Sequence, residues 1–294
     1  KELSSEIDGI GIIKDAIKID YDGDGNNDIV AVGDWTIPNI ILAKNNKLQL
    51  DFPAELAEYS SWWNHINKGD FNGDGREDII IGSFGENNKF HPSKKKPLEI
   101  FGNDFDNSGS NDVVLAKHYK DKVVPTRGRE CSSQQIPVIK EKFPTYNEFA
   151  LADLEDILGE DKINEGAHAK INGMDHIVIY NLPSGWQVEN LPELTQIAPL
   201  KGTAIVDING DGNMDVIGIG NHHGAEVETA RYDAGQGWVL LGSKDNGFTY
   251  VAPRNAGFSF MGDGREVVIA STDKGKEMLA FFNNAPAKAY KANF

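Results

Sequence analysis

A nine-residue acidic loop occurs four times along the chain, and this repetition limits the possible folds more than any other feature. Positions 1, 3, 5 and 9 are Asp20, Asp22, Asp24 and Asp28 in the first copy, and Asp70, Asn72, Asp74 and Asp78 in the second. They are Asp104, Asp106, Ser108 and Asp112 in the third, and Asp207, Asn209, Asp211 and Asp215 in the fourth. Every one of these side chains offers oxygen, and position 6 is always glycine. Calcium takes about six to eight hard oxygen ligands at roughly 2.3–2.6 Å, which a short, sharply turned loop can supply. Glycine permits the turn because it has no Cβ to clash at positive φ. Asp and Asn also dominate ordinary solvated turns, but four copies in register point to Ca²⁺, about four ions in all.

The residues that follow each loop exclude the helix–loop–helix type of site. That type carries a bidentate Glu at position 12, where this chain has Ala31, Ile81, Leu115 and Gly218. Instead come short β-branched runs, Ile29 to Val32, Ile79 to Ile81, Val113 to Leu115 and Val216 to Ile219, which read as strands. A fifth, decayed copy over Ser259 to Val267 keeps Gly262-Asp263-Gly264 but has Ser259, Met261 and Val267 at positions 1, 3 and 9, so no metal is expected there. Several loops are followed by hairpin patterns, for example Ile40 to Leu50, His176 to Val188, Trp238 to Val251 and Met278 to Tyr290. Strand, loop, strand and hairpin make a four-stranded antiparallel unit. One such unit cannot bury both faces, and radial stacking of several gives a β-propeller.

These loops and hairpins resemble the FG-GAP/VCBS repeats of β-propellers, the kind also found in integrin α-subunit heads. Trp62-Trp63-Asn64, Arg127 to Pro137, Lys142 to Tyr146 and Arg231 to Ala234 extend the likeness. Together they look like the C-terminal repeat region of large bacterial secreted or surface VCBS-repeat proteins, related to the cartilage acidic protein group. The resemblance implies that side chains at positions 1, 3, 5 and 9 bind calcium with the position-7 carbonyl, here of Asn26, Arg76, Ser110 and Asn213. Ser108 departs from the usual Asp or Asn, so the third site is expected to be the weakest.

The expected fold is therefore all-β: one propeller over residues 1–294 of four-stranded antiparallel blades with calcium loops, whole in itself or part of a larger ring. The blades start near Lys1, Ala54, Pro97, Gln196 and Ala252. A helical insertion at about 131–160 falls inside the third blade. Within it, Thr145 and Glu148 form a capping-box pattern, Gly159 suits a C-cap, and a single helix is expected over 145–158. Tyr146, Phe149, Ala150, Leu154, Ile157 and Leu158 would share its apolar face.

Composition fits an extracellular or bacterial cell-surface binding module. Thirteen loop carboxylates account for much of the net charge of −16, which disfavours nucleic acid as a partner. Millimolar calcium outside cells suits loops of modest affinity. No stretch is long and apolar enough to span a bilayer, and the absence of an initiator Met suggests a mature chain or a fragment. Cys131 is alone, and the seven histidines form no recognised catalytic motif, so no enzyme activity is expected. The expected role is adhesion or interaction with an extracellular protein or glycan. The alternative is a carbohydrate-active enzyme or its glycan-binding accessory module, for which Trp35, Trp62, Trp63 and Trp186 are the candidate aromatic platforms.

Overall fold

The computed structural model describes residues 7, 9–226, 229–245, 247–273 and 275–291; the expected blade start at Lys1 lies outside them. The chain divides into two compact units, residues 1–89 with 174–294, and residues 90–173. In the larger unit the chain first forms β1 (Ile12–Ile19), β2 (Asp28–Thr36), β3 (Asn39–Lys44), β4 (Lys47–Asp51), β5 (Ser61–Trp62), β6 (His65–Gly69) and β7 (Asp78–Gly82). The smaller unit follows with β8 (Leu98–Asn103), β9 (Asp112–Tyr119) and β10 (Lys122–Pro125). Five short helices come next: α1 (Arg129–Gln135), α2 (Val138–Lys142), α3 (Tyr146–Leu151), α4 (Leu154–Leu158) and α5 (Glu160–Glu165). β11 (Ala167–Ile171) closes that unit. The larger unit resumes with β12 (Ile177–Leu182), β13 (Gly185–Asn190), β14 (Leu200–Val206), β15 (Asp215–Gly220), β16 (Trp238–Ser243) and β17 (Gly247–Val251). It ends in α6 (Pro253–Ala256), β18 (Gly264–Thr272), β19 (Gly275–Phe282) and β20 (Ala285–Lys291).

The larger unit holds four antiparallel sheets: β1-β2-β3-β4, with β5 beside the end of β2; β6-β7-β12-β13; β14-β15-β16-β17; and β18-β19-β20. The first strand of each sheet packs on the first strand of the next, β1 on β6, β6 on β14 and β14 on β18. Side-chain alternation along β7 shows how the sheets stack. Ile79 and Ile81 enter the core shared with the first sheet, while Ile80 enters the core shared with the third. β15 repeats this, with Val216 on one side and Ile217 and Ile219 on the other. A strand buried on both faces must be apolar throughout, which is why the post-loop runs read as continuous Ile and Val. Each such Ile contributes about 1.5–3 kcal/mol by burial.

The pairing differs from the sequence reading in three places. The hairpin β12–β13 pairs with β7, Ile177 opposite Ile81 and Ile179 opposite Ile79, so it completes the second sheet and does not follow the third loop. Residues 90–173 are thus inserted between strands of one sheet. The third loop lies in their own sheet, of order β10-β9-β8-β11, where the strand before the loop is interior and not an edge. Finally, Gly262-Asp263-Gly264 leads into β18, the first strand of its sheet. The turn between β18 and β19, where the other sheets of this unit carry a loop, is a tight hairpin closed by Thr272 opposite Gly275.

The helices run from Arg129 to Glu165, wider than the expected 131–160. The expected helix over 145–158 is two helices. Thr145 and Glu148 form the capping box of α3, but Asp153 starts a second one with Asp156 and opens α4, because its carboxylate accepts from the Asp156 N–H. Gly159 ends α4 at φ 90°. Phe149, Leu154, Ile157 and Leu158 pack with Ile136 and Ile139 against Phe101 of β8 and Phe105 of the third loop. Tyr146 and Ala150 are exposed.

Candidate metal centres

All four loops share one hydrogen-bond scaffold, which follows from their common sequence. The position-2 N–H donates to Oδ2 of the position-9 aspartate: Tyr21 to Asp28 (3.0 Å), Phe71 to Asp78 (3.1 Å), Phe105 to Asp112 (3.2 Å) and Ile208 to Asp215 (2.7 Å). The position-6 glycine N–H donates to Oδ2 of position 1, at 3.0 Å to Asp20, 2.9 Å to Asp70, 2.8 Å to Asp104 and 3.0 Å to Asp207. The position-5 N–H donates to Oδ1 of position 3, which is Asp22, Asn72, Asp106 or Asn209. The position-7 N–H turns back onto position 5, from Asn26 to Asp24, Arg76 to Asp74, Ser110 to Ser108 and Asn213 to Asp211. These bonds fix the side chains at 1, 3, 5 and 9 around one turn, each with an oxygen lone pair left over.

Two loops gather three carboxylates. One oxygen from each of Asp20, Asp22 and Asp28 lies within 4.8 Å of the others, and the same holds for Asp104, Asp106 and Asp112. In the second and fourth loops position 3 is Asn72 or Asn209, so a neutral amide oxygen replaces the third carboxylate. A cation suits this donor set. Asp20 Oδ1 is buried with no hydrogen-bond partner, a costly arrangement for an acceptor unless a cation meets it. The donors are all oxygen and mostly carboxylate, which matches a hard divalent ion. Asp20, Asp22, Asp24 and Asp28 would hold it in the first loop, with the Asn26 carbonyl.

The position-9 aspartates are buried, and burial raises three of them above the ordinary aspartate value. Burial pushes Asp78 up to about 6, with Asp74 and Asp70 adding to the effect and the Asn181 and Phe71 N–H groups opposing it. Burial likewise raises Asp112 and Asp215, each beside two further loop carboxylates. Exposed position-5 groups go the other way: the Asn26 N–H leads in lowering Asp24, and the Asn213 N–H in lowering Asp211.

Several partners escaped sequence reasoning. The second oxygen of Asp28 accepts the Ala43 N–H at 2.8 Å, that of Asp78 the Asn181 N–H at 2.8 Å, and that of Asp215 the Gly242 N–H at 2.9 Å. Each tie runs to the third strand of the same sheet, and for Asp78 the partner is 103 residues away, so no local pattern announces it. Side-chain cations also reach the loops. Lys44 Nζ lies 2.7 Å from Asp22, and Arg76 pairs with Asp74. Lys162 Nζ donates to the Asp104 carbonyl and to Asn107 Oδ1, both at 2.6 Å. The Asn213 side chain hydrogen-bonds Asp211 of its own loop, while its buried Oδ1 lies against Gly73 of the second.

The four candidate tryptophans divide into two pairs. Trp63 is buried and donates through Nε1 to the Thr36 carbonyl, and Trp186 stacks on Tyr21 at 4.5 Å against the first core. Trp35 and Trp62 are half-buried and meet edge to face at 5.3 Å.

Residues 20–81 match the FG-GAP-like repeat. The matched stretch runs from the first ligand of the first loop into β7, so it includes two loops and every strand between them. No curated protein matches the chain. Among the described residues, no helix is long and apolar enough to cross a membrane.

Proposed function

We propose that the chain is a calcium-binding segment of a β-propeller that serves as an extracellular or bacterial-surface interaction module, without turnover. The observation behind this reading is the first loop: three carboxylates within 4.8 Å, one with a buried oxygen lacking any partner, on a scaffold repeated three more times. Calcium acts structurally here. It neutralises buried, mutually repelling aspartates and so locks the hairpin ends of the sheets. The larger unit's sheets, stacked first strand on first strand, supply the blades.

A binding role is favoured over catalysis by the arrangement that looks most catalytic among the described residues. His65 Nδ1 lies 2.9 Å from Asp15 Oδ2, and His65 Nε2 lies 2.9 Å from Thr203 Oγ1, an acid–base–hydroxyl relay across β1, β6 and β14. Thr203 is only 3% exposed, and its hydroxyl oxygen already accepts from Asn67 at 3.0 Å. A substrate carbonyl has no approach to it, so the relay serves as a polar clamp between neighbouring sheets. The half-buried Trp35–Trp62 pair favours a glycan over a protein as the bound partner.

A metal that binds the folded loops and not the unfolded chain stabilises the fold by mass action. Chelation should lower the melting temperature by roughly 10 °C or more at low salt, and millimolar calcium should restore it. Unchanged melting in chelator would reduce the loops to solvated turns.

A further inference from the structure

Three cations meet at one end of the innermost strands of the larger unit. Lys14 lies at the irregular step of β1 between Ile13 and Asp15, Lys201 at that of β14 between Leu200 and Gly202, and Arg265 at that of β18 between Gly264 and Glu266. Glycine stands opposite the first two steps because nothing larger fits: a Cβ at Gly33 would lie 1.9 Å from the Ile12 carbonyl oxygen, and one at Gly220 1.6 Å from that of Pro199. Such bulges re-aim a side chain. Beside β6 the corresponding residue is Asn64, whose Oδ1 accepts from Lys201 Nζ at 2.6 Å and from Lys14 Nζ at 3.3 Å. Lys14 is balanced by Asp34 at 2.6 Å and Arg265 by Asp263 at 3.0 Å. Lys201, among the described residues, has no carboxylate within ion-pair distance. In a chain of net charge −16, this is a local concentration of positive charge that the overall composition does not explain.

Aromatic rings gather at the same place by the same repeat logic. Two residues beyond Gly33, Gly82 and Gly220 stand Trp35, Phe84 and His222. Phe84 meets Trp62 at 5.5 Å, His222 at 5.6 Å and Tyr232 at 5.4 Å, all edge to face, so its plane crosses theirs, while His222 and Tyr232 stack at 6.3 Å. Lys201 Nζ lies 5.1 Å from the Phe84 ring centroid. Trp35 holds a φ of 62°, a left-handed conformation that a bulky residue adopts only where the surroundings impose it. His222 Nδ1 is buried and has no hydrogen-bond partner.

We propose that this end of the larger unit binds a carboxylated sugar, a uronate residue of an acidic glycan, with Lys201 meeting the carboxylate and the Trp62, Phe84 and Tyr232 rings packing on the sugar's C–H face. An ammonium without a carboxylate partner favours an anion. The differently directed rings, half-buried and adjoining that ammonium, suit the apolar face of a pyranose and would be idle toward a plain acidic peptide. This deepens the binding-module reading above and rests on it, while the calcium loops stay outside the proposed contact. Burial, then Lys14 and Arg265, lower the Lys201 ammonium to about 7 against the pull of Asp34 and Asp263, and the neighbouring His222 is lowered as well, chiefly by burial. Anion binding should therefore weaken as the pH rises through that range and Lys201 loses its proton.

The test is calorimetric binding of an oligogalacturonate to the whole chain at fixed calcium, with a neutral glucan oligosaccharide and pentaglutamate as comparisons. The uronate oligomer should bind, more tightly at about pH 6 than at about pH 8.5, and neither comparison ligand should match it. Lys201→Met and Trp62→Leu should each weaken binding by at least about tenfold while melting and calcium uptake stay at wild-type values. Equal binding by wild type and Lys201→Met would overturn the proposal, because a uronate bridged through loop calcium would not notice that change. Pentaglutamate binding as tightly as the uronate would overturn it too, as would no binding at all. Calcium uptake and calcium-dependent melting, measured on the same preparations, separate a failure here from a failure of the calcium reading.

Discussion

The first and third loops carry the same nine-position scaffold on sheets of different order. In the first, Asp28 is held at both oxygens, by the Tyr21 N–H of its own loop and by the Ala43 N–H of β3. In the third, Asp112 accepts the Phe105 N–H alone among backbone donors, because β10 pairs with β9 only from Tyr119 back to Ala116 and stops short of it. Both nevertheless bring three carboxylates within 4.8 Å. The loop is therefore a self-contained device whose geometry comes from its own Asp and Gly residues, while the sheet decides how firmly it is tied to its neighbours. Sequence repeats reveal the first property and conceal the second.

Truncating the position-9 carboxylate should expose that difference most strongly. Asp28→Ala strands two N–H donors, one buried and one part-buried, and should cost about 3 kcal/mol in chelator, whereas Asp112→Ala strands one and should cost about 1–2 kcal/mol. Denaturant titration of both variants checks this. Equal costs would mean that the tie to the third strand contributes nothing.

A smaller effect separates the metal-free and loaded loops by pH. An unfolded aspartate ionises near 3.8, but folded, metal-free Asp78 keeps its proton up to about 6. Between those values the folded state binds the extra proton, so this group favours folding as the pH falls through about 6 and disfavours it above. Bound calcium removes the cause, since a divalent ion favours the carboxylate. Carbon-13 titration of the Asp78 carboxyl should show a midpoint near 6 in chelator and one below about 4 with calcium. A low midpoint in both conditions would show that burial alone does not strain the site.

What could be read from the sequence divides along the same line. The loops were legible because their side chains lie within nine consecutive residues, and the strands after them because burial on both faces demands unbroken runs such as Ile79-Ile80-Ile81. The α3 cap was legible because Thr145 and Glu148 bond each other across three residues. Pairing of Ile177 with Ile81 was not, since it depends on which sheet edge stays open across an 84-residue insertion, and the insertion's own loop resembled one more blade. Gly262-Asp263-Gly264 misled for the opposite reason. It copies the middle of a calcium loop while serving as the lead into an innermost strand. The Gly-x-aromatic recurrence at Trp35, Phe84 and His222 was in the sequence throughout, but its three copies differ in ring type, so its meaning appears only once the sheets place them side by side.

The central claim is that all four loops bind calcium, including the second and fourth, where Asn72 and Asn209 stand in for a carboxylate. Calcium titration of chelator-stripped protein tests it most directly. The account predicts close to four sites per chain, with the first loop and its four carboxylates filling first and the third, with Ser108 at position 5, filling last. A count of one or none would contradict it.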